Sequence, residues 1–157
     1  MKRVLWSLLL ILILCSFTAC SGSALKYSIT GKKVSSFFYT DTMAKQIKSE
    51  GISSIVALQT NLQKEIILKD EDMDTFNAFF SGLKTNNFLS DVPDIPQNPE
   101  FKFYITSGSQ KFVINVYNEK YISIFPWDGS FSMDYIDMSG IKPLYNLYNL
   151  CKYLYRN

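Results

Sequence analysis

The sequence predicts an α+β fold, an antiparallel β-sheet meander packed against a C-terminal helix and one central helix in a single domain. Three observations predict it. From Phe101 to Ile136 apolar residues alternate with more polar ones at period two, with turn signals between the runs. Met73, Phe76, Phe79, Phe80 and Leu83 recur at helical spacing, and so do Leu144, Leu147, Tyr148, Cys151, Leu154 and Tyr155. The chain has 157 residues, of which 47% are hydrophobic, enough for one core and too few for several domains.

Taken in order, Asp41 is placed to cap a short helix over 42–50, closed by Gly51. Residues 52–59 and 65–68 are β-rich, and Thr60-Asn61 begins a hairpin connection between them. Asp70 is placed to cap a helix through Leu83, with Glu71, Asp72 and Asp74 near its positive end. The stretch 85–97, with Asn86-Asn87, Pro93 and Pro96, reads as a loop.

The meander follows. Phe101, Phe103 and Ile105 alternate with Lys102, Tyr104 and Thr106, and Ser107-Gly108-Ser109 turns the chain into Phe112, Ile114 and Val116. Asn118-Glu119 leads to a strand over 121–125, and Asp128-Gly129, a strong hairpin signal, leads to another over 131–136. Turns this short require antiparallel neighbours. The final helix spans 141–155, with Ser139 as its cap and Pro143 confined to its first turn.

The beginning of the chain has a different logic. Met1, Lys2 and Arg3 are followed by a run over 4–14 that is apolar apart from Ser7, and then by Ser16-Phe17-Thr18-Ala19-Cys20. That is the plan of a secretory signal, and it falls short of the about 18 to 20 apolar residues that a membrane span needs. Phe17-Thr18-Ala19-Cys20 resembles the lipobox of bacterial lipoproteins, with an apolar residue, a small one, Ala and then Cys; Phe stands where Leu is usual. Cys15 would require Leu14 at the place of the small residue, which excludes it. The resemblance implies cleavage before Cys20 and a diacylglycerol thioether on its sulfur. Residues 1–19 are then the signal peptide, 20–40 a tether with Lys26, Lys32 and Lys33, and 41–157 the extracytoplasmic domain. In plan and composition the chain resembles small uncharacterised lipoproteins of low-GC Gram-positive bacteria, and that resemblance assigns no functional residue. The implied location is the outer face of the cytoplasmic membrane, with the membrane itself as a partner through the lipid anchor.

Composition narrows the chemistry. The chain has no His, so the usual general base and the usual partner of a Ser or Cys nucleophile are missing. Without Lys2 and Arg3, 14 basic residues face 14 acidic ones, and no basic stripe suggests nucleic acid. Asp70, Asp72 and Asp74 imitate the opening of a calcium loop, but Thr75 and Ser81 stand where that loop needs Gly and a bidentate acid, so no metal is expected. Cys151 lies on the apolar stripe as a small hydrophobe. No catalytic residue and no cofactor are assigned.

The remaining feature is the aromatic turn at Pro126, Trp127 and Asp128, a candidate contact for a protein or envelope ligand. Two placements of Trp127 stay open, folded over the edge of the core or exposed. The sequence thus suggests a non-enzymatic binding or accessory domain. Its rivals are a structural or immunity-type lipoprotein acting by protein contact, and an acid-dependent envelope hydrolase using Asp128, Asp134 or Asp137. Cys20→Ala is expected to abolish lipid attachment and to release the protein from the membrane or leave it unprocessed. A palmitate-analogue label that persists in this variant would contradict the assignment.

Overall fold

The computed structural model describes residues 35–127 and 132–156. All of them fall within one compact unit, 34–157. Cys20, expected to carry the lipid, the lysines of the expected tether and Asp128 lie outside the described residues.

The elements are α1 (Phe38–Glu50), β1 (Ser54–Gln59), β2 (Lys64–Ile67), α2 (Asp70–Gly82), β3 (Phe88–Leu89), β4 (Phe101–Ser107), β5 (Gln110–Val116), β6 (Tyr121–Pro126), β7 (Asp134–Asp137) and α3 (Leu147–Leu154). Single 3₁₀ turns, Thr85–Asn87 and Pro143–Tyr145, precede β3 and α3. The strands form one seven-stranded sheet in the order β2-β1-β4-β5-β6-β7-β3, antiparallel at every pairing. The expected meander is its middle, β4 to β7. The β1–β2 hairpin extends it on one side and β3 on the other.

One face of the sheet carries the core. Ile55, Ala57, Phe101, Phe103, Ile105, Phe112, Ile114, Val116, Ile122, Ile124 and Ile136 are buried there. The register aligns them, for example Ala57, Phe103, Ile114 and Ile124 across β1, β4, β5 and β6. Each helix presses an apolar stripe against this face. Phe76 of α2 meets the Phe103 ring at 5.7 Å, and Tyr148 and Tyr155 at the end of the chain flank Phe101 at 5.8 and 5.6 Å. The helical spacing read in Met73, Phe76, Phe79, Phe80 and Leu83 therefore has its cause in this face: Phe76 and Phe79 are buried, and the others pack beside them.

The helix boundaries depart from expectation. α1 starts at Phe38, ahead of Thr42, and Asp41 does not cap it; Asp41 sits within the first turn and pairs with Lys45 at 2.7 Å. The cap comes from across the fold. Oδ2 of the buried Asp134, on β7, accepts hydrogen bonds from the Thr40 amide at 2.7 Å and the Thr40 hydroxyl at 3.0 Å. Gly51 closes α1 as expected, at φ +72°, where an L side chain is strained. In α2, Asp70 is the first helical residue, and the cap position is Lys69, whose amide donates to Asp72 Oδ2 at 3.1 Å. The two-residue strand β3 lies inside the stretch that reads as a loop, because so short a strand has no periodicity to see.

At the C-terminus one continuous helix was expected, and the chain instead breaks at Asn146. Pro143 fits only the 3₁₀ turn, and Asn146 is extended. Its Oδ1 accepts from the Tyr148 amide at 2.9 Å and its Nδ2 donates to the Glu119 carbonyl at 2.8 Å, so Asn146, not Ser139, caps α3. The break turns Leu144 out of the stripe, leaving it 72% exposed, while Leu147 is fully buried. Beyond α3, the Tyr155 hydroxyl donates to the carbonyls of Ala57 and Lys64 at 2.7 and 3.0 Å and ties the chain end to the β1–β2 hairpin.

The contrast within the C-terminal segment is testable. Leu147→Ala is expected to cost about 2 to 5 kcal/mol, as buried leucines do, and Leu144→Ala close to nothing. Thermal melts of equal depression for both would show the break at Asn146 to be wrong. Burial pushes the Tyr155 phenol up to about 12. A phenol raised above its unfolded value of about 10 contributes stability that is complete below pH 10 and lost as pH rises through 12. Denaturation midpoints are expected to fall over that window, and to fall less steeply in Tyr155→Phe.

Candidate functional site

The side of the sheet turned away from the helices carries a second apolar pattern. Ile67, Val56, Tyr104, Val113 and Phe125 stand directly opposite one another on β2, β1, β4, β5 and β6. Cross-strand partners share a face, so these side chains form one row across the outer surface. Val113 is buried within it, Val56, Tyr104 and Phe125 are half-buried, and Ile67 at the sheet edge is 70% exposed.

Trp127 stands at this row. Its amide donates to the Lys111 carbonyl at 2.9 Å, which extends the β5–β6 ladder by one residue and fixes the backbone. The indole meets the Tyr104 ring edge-on, with centroids 4.7 Å apart and planes at 66°. It remains 53% exposed. Trp127 therefore lies on the outer face, apart from the core on the helix side. Pro126 does not join it: paired with Phe112, it belongs to the helix-facing side. Sequence reasoning singled out the turn and missed the row, because Val56, Tyr104, Val113 and Phe125 become neighbours only through long-range register. The run Phe112-Val113-Ile114, apolar on both phases of the strand, was the available signal.

Beside the aromatic row lies a polar one. Asn115, buried Ser123 and the Tyr117 hydroxyl gather round the Met133 sulfur, with Ser123 Oγ at 3.2 Å. Tyr117 Oη lies 3.2 Å from Ser123 Oγ and accepts from Asn115 Nδ2 at 3.3 Å. Asn115 Oδ1 is buried with no hydrogen-bond partner among the described residues. This cluster holds β5, β6 and Met133 together, and its hydroxyls point at one another.

The acids weighed as catalytic groups are separated. Asp134 faces the helices and Asp137 the opposite side, as alternation along β7 requires. Asp137 Oδ1 accepts from the Ser139 amide at 2.8 Å, and its other oxygen lies 3.9 Å from Lys120. Glu100 accepts from the Tyr148 hydroxyl at 3.0 Å and neighbours Lys152 at 3.7 Å. Burial, and to a smaller degree Glu100, pushes the Cys151 thiol well above its ordinary value, so it stays protonated and unreactive. Burial and then Glu65 raise the Tyr104 phenol, which stays neutral under Trp127. Among the described residues no group of three or more His, Cys, Asp or Glu side chains is placed to hold a metal, and no helix is long and apolar enough to cross a membrane.

Comparison with known proteins agrees with the fold. No curated protein matches the chain. A crystal structure described as "Putative Lipoprotein from Clostridium perfringens" is similar over 80% of this chain and 100% of its own, at 27% identity and a TM-score of 0.72. The source is a low-GC Gram-positive bacterium, in keeping with the resemblance of plan and composition. The family model described as a domain of unknown function, DUF4883, matches residues 33–151. The match takes in all but the end of the folded unit, and the chain belongs to the DUF4883 family.

Proposed function

We propose that the protein is a lipoprotein anchored through Cys20 on the outer face of the bacterial cytoplasmic membrane, with a non-enzymatic domain that binds a partner through the outer face of its sheet. The similarity to a putative lipoprotein and the Phe17-Thr18-Ala19-Cys20 pattern support the anchor. The observation that carries the binding role is Trp127, 53% exposed and braced on Tyr104 at the end of an apolar row. An indole held this way presents a large area at small entropic cost, which is how interface anchors contribute affinity.

The row is apolar, which favours a protein surface over a small polar ligand. That is the contact-acting lipoprotein of the sequence reading. A hydrolase gains no support, because Asp134 and Asp137 are engaged on opposite faces and Asp72 caps its own helix.

Trp127 also provides the test, since Trp6 precedes the cleavage site and Trp127 is the single Trp of the processed chain. Its emission is expected to be red-shifted and quenched by acrylamide, and to turn blue and protected when the partner binds. Trp127→Ala is expected to cost about 1 kcal/mol of stability, the worth of the aromatic pair with Tyr104. The same change is expected to abolish partner crosslinking in intact cells. A blue, unquenched Trp127 in the free protein would refute the proposal.

A further inference from the structure

β2 is an edge strand, with β1 as its neighbour on one side and no strand on the other. The direction of its free backbone groups follows from the register. The Leu68 amide donates to the Ile55 carbonyl at 2.9 Å, and residue pairs along an antiparallel ladder alternate between bonded and non-bonded. Ile66 and Lys64 are therefore bonded to Ala57 and Gln59 of β1, while the amides and carbonyls of Glu65 and Ile67 point to the open side. Lys69, the next residue in that phase, is already committed: its amide donates to Asp72 Oδ2, and its carbonyl accepts from the first turn of α2. The open edge is thus limited to Glu65 and Ile67. By its side chain Ile67 belongs to the outer row, but its backbone groups lie in the plane of the sheet and make a separate contact.

The cleft beside this edge indicates what pairs with it. It measures about 390 Å³ and lies between β2 and the facing ends of α2 and α3, with Ile66, Ile67 and Tyr153 in its lining. Its charges balance, Lys69 and Arg156 against Glu71 and Asp72. Such a surface selects no ligand of a single charge. It suits a two-fold contact, in which the cations of each copy can face the acids of the other. Ile67 and Tyr153, 70% and 61% exposed, supply apolar area at the same place.

We infer that β2 pairs antiparallel with β2 of a second copy, about a two-fold axis at Ile66. In that register Glu65 of each copy stands opposite Ile67 of the other, and every free amide and carbonyl of the edge is bonded. Ile66, which shares the helix side with Ala57, meets its own counterpart as a non-bonded pair. An axis at Glu65 would set like charges directly opposite, and one at Ile67 would call on Lys69, whose groups are taken. The two sheets become one, and both Trp127 faces turn the same way. The pairing itself does not depend on Trp127 binding a partner.

The first test uses the full chain in membranes of the producing cells. Ile66→Cys is expected to form a disulfide-linked dimer under a mild oxidant, because a non-bonded antiparallel pair sets its Cα atoms about 4.5 Å apart, within disulfide reach. Glu65→Cys, on the more exposed residue, would have its copies more than about 7 Å apart and is expected to crosslink at least about tenfold less. Cys151 is buried and stays out of the reaction. Sedimentation of the full chain in non-ionic micelles is the second readout. The unaltered chain is expected to dimerise, and Ile67→Pro to weaken the dimer at least about tenfold, since the ring removes an amide that the ladder to β1 does not use. Glu65→Pro, which removes the other free amide, repeats the test if Ile67→Pro melts early. Trp127→Ala is expected to leave dimerisation unchanged, and Ile67→Pro to leave acrylamide quenching of Trp127 unchanged, so the two proposals fail separately. A monomeric unaltered chain, a dimer indifferent to both proline variants, or equal crosslinking of Ile66→Cys and Glu65→Cys would overturn the inference.

Discussion

The Asp134 carboxylate, fully buried among the strands, accepts both the amide and the hydroxyl of Thr40, and through them it holds the first turn of α1. A helix start leaves amides without partners and carries positive partial charge, so a carboxylate there satisfies both at once. The arrangement is demanding. A buried charge is costly unless its hydrogen bonds are complete, and removing either partner leaves the other stranded in a medium of low polarity. Asp134 occupies the row of Ile124, Ile114 and Phe103, so the same register that aligns the core also aims the cap. α1, β7 and the middle of the sheet are thereby fixed together, and Met43 of α1 is buried as a result.

How far this was legible in the sequence depends on the range of the interaction. Period two from Phe101 to Val116 and helical spacing from Met73 to Leu83 are local, and both produced elements where expected; burial alternates along β4, while Phe112 to Val116 of β5 are all buried. Asp41 has the look of a cap because capping is ordinarily local, whereas the acceptor that fills that role, Asp134, lies 94 residues from Thr40. The terminal helix was misjudged for a related reason. Leu144 fits the spacing of Leu147 and Cys151, but the Asn146 side chain bonds to Tyr148 and Glu119, and those bonds outweigh continuation of the helix. Of the candidate site, Trp127 was readable as an unusual residue in a turn. Its neighbour Tyr104 was not, since it meets the indole only through strand register.

The distribution of polar groups bears on function as well as on stability. Among the described residues the acids with interior or half-interior positions are committed to caps, turns and the chain end. The hydroxyls of Tyr117 and Ser123 are committed to one another. Apolar surface, by contrast, is left outward at Trp127, Ile67, Leu144 and Tyr153. That distribution supports the proposed contact role.

Cys151 lies at the centre of α3 with no exposed surface and with its proton held by burial. No disulfide is needed for the core around it, so the domain can assemble without an oxidant. The same position makes the thiol a reporter of breathing. A reagent can reach it only when α3 lifts from the sheet, so the rate of its labelling measures how often the core opens, in the manner of the slowest-exchanging amides.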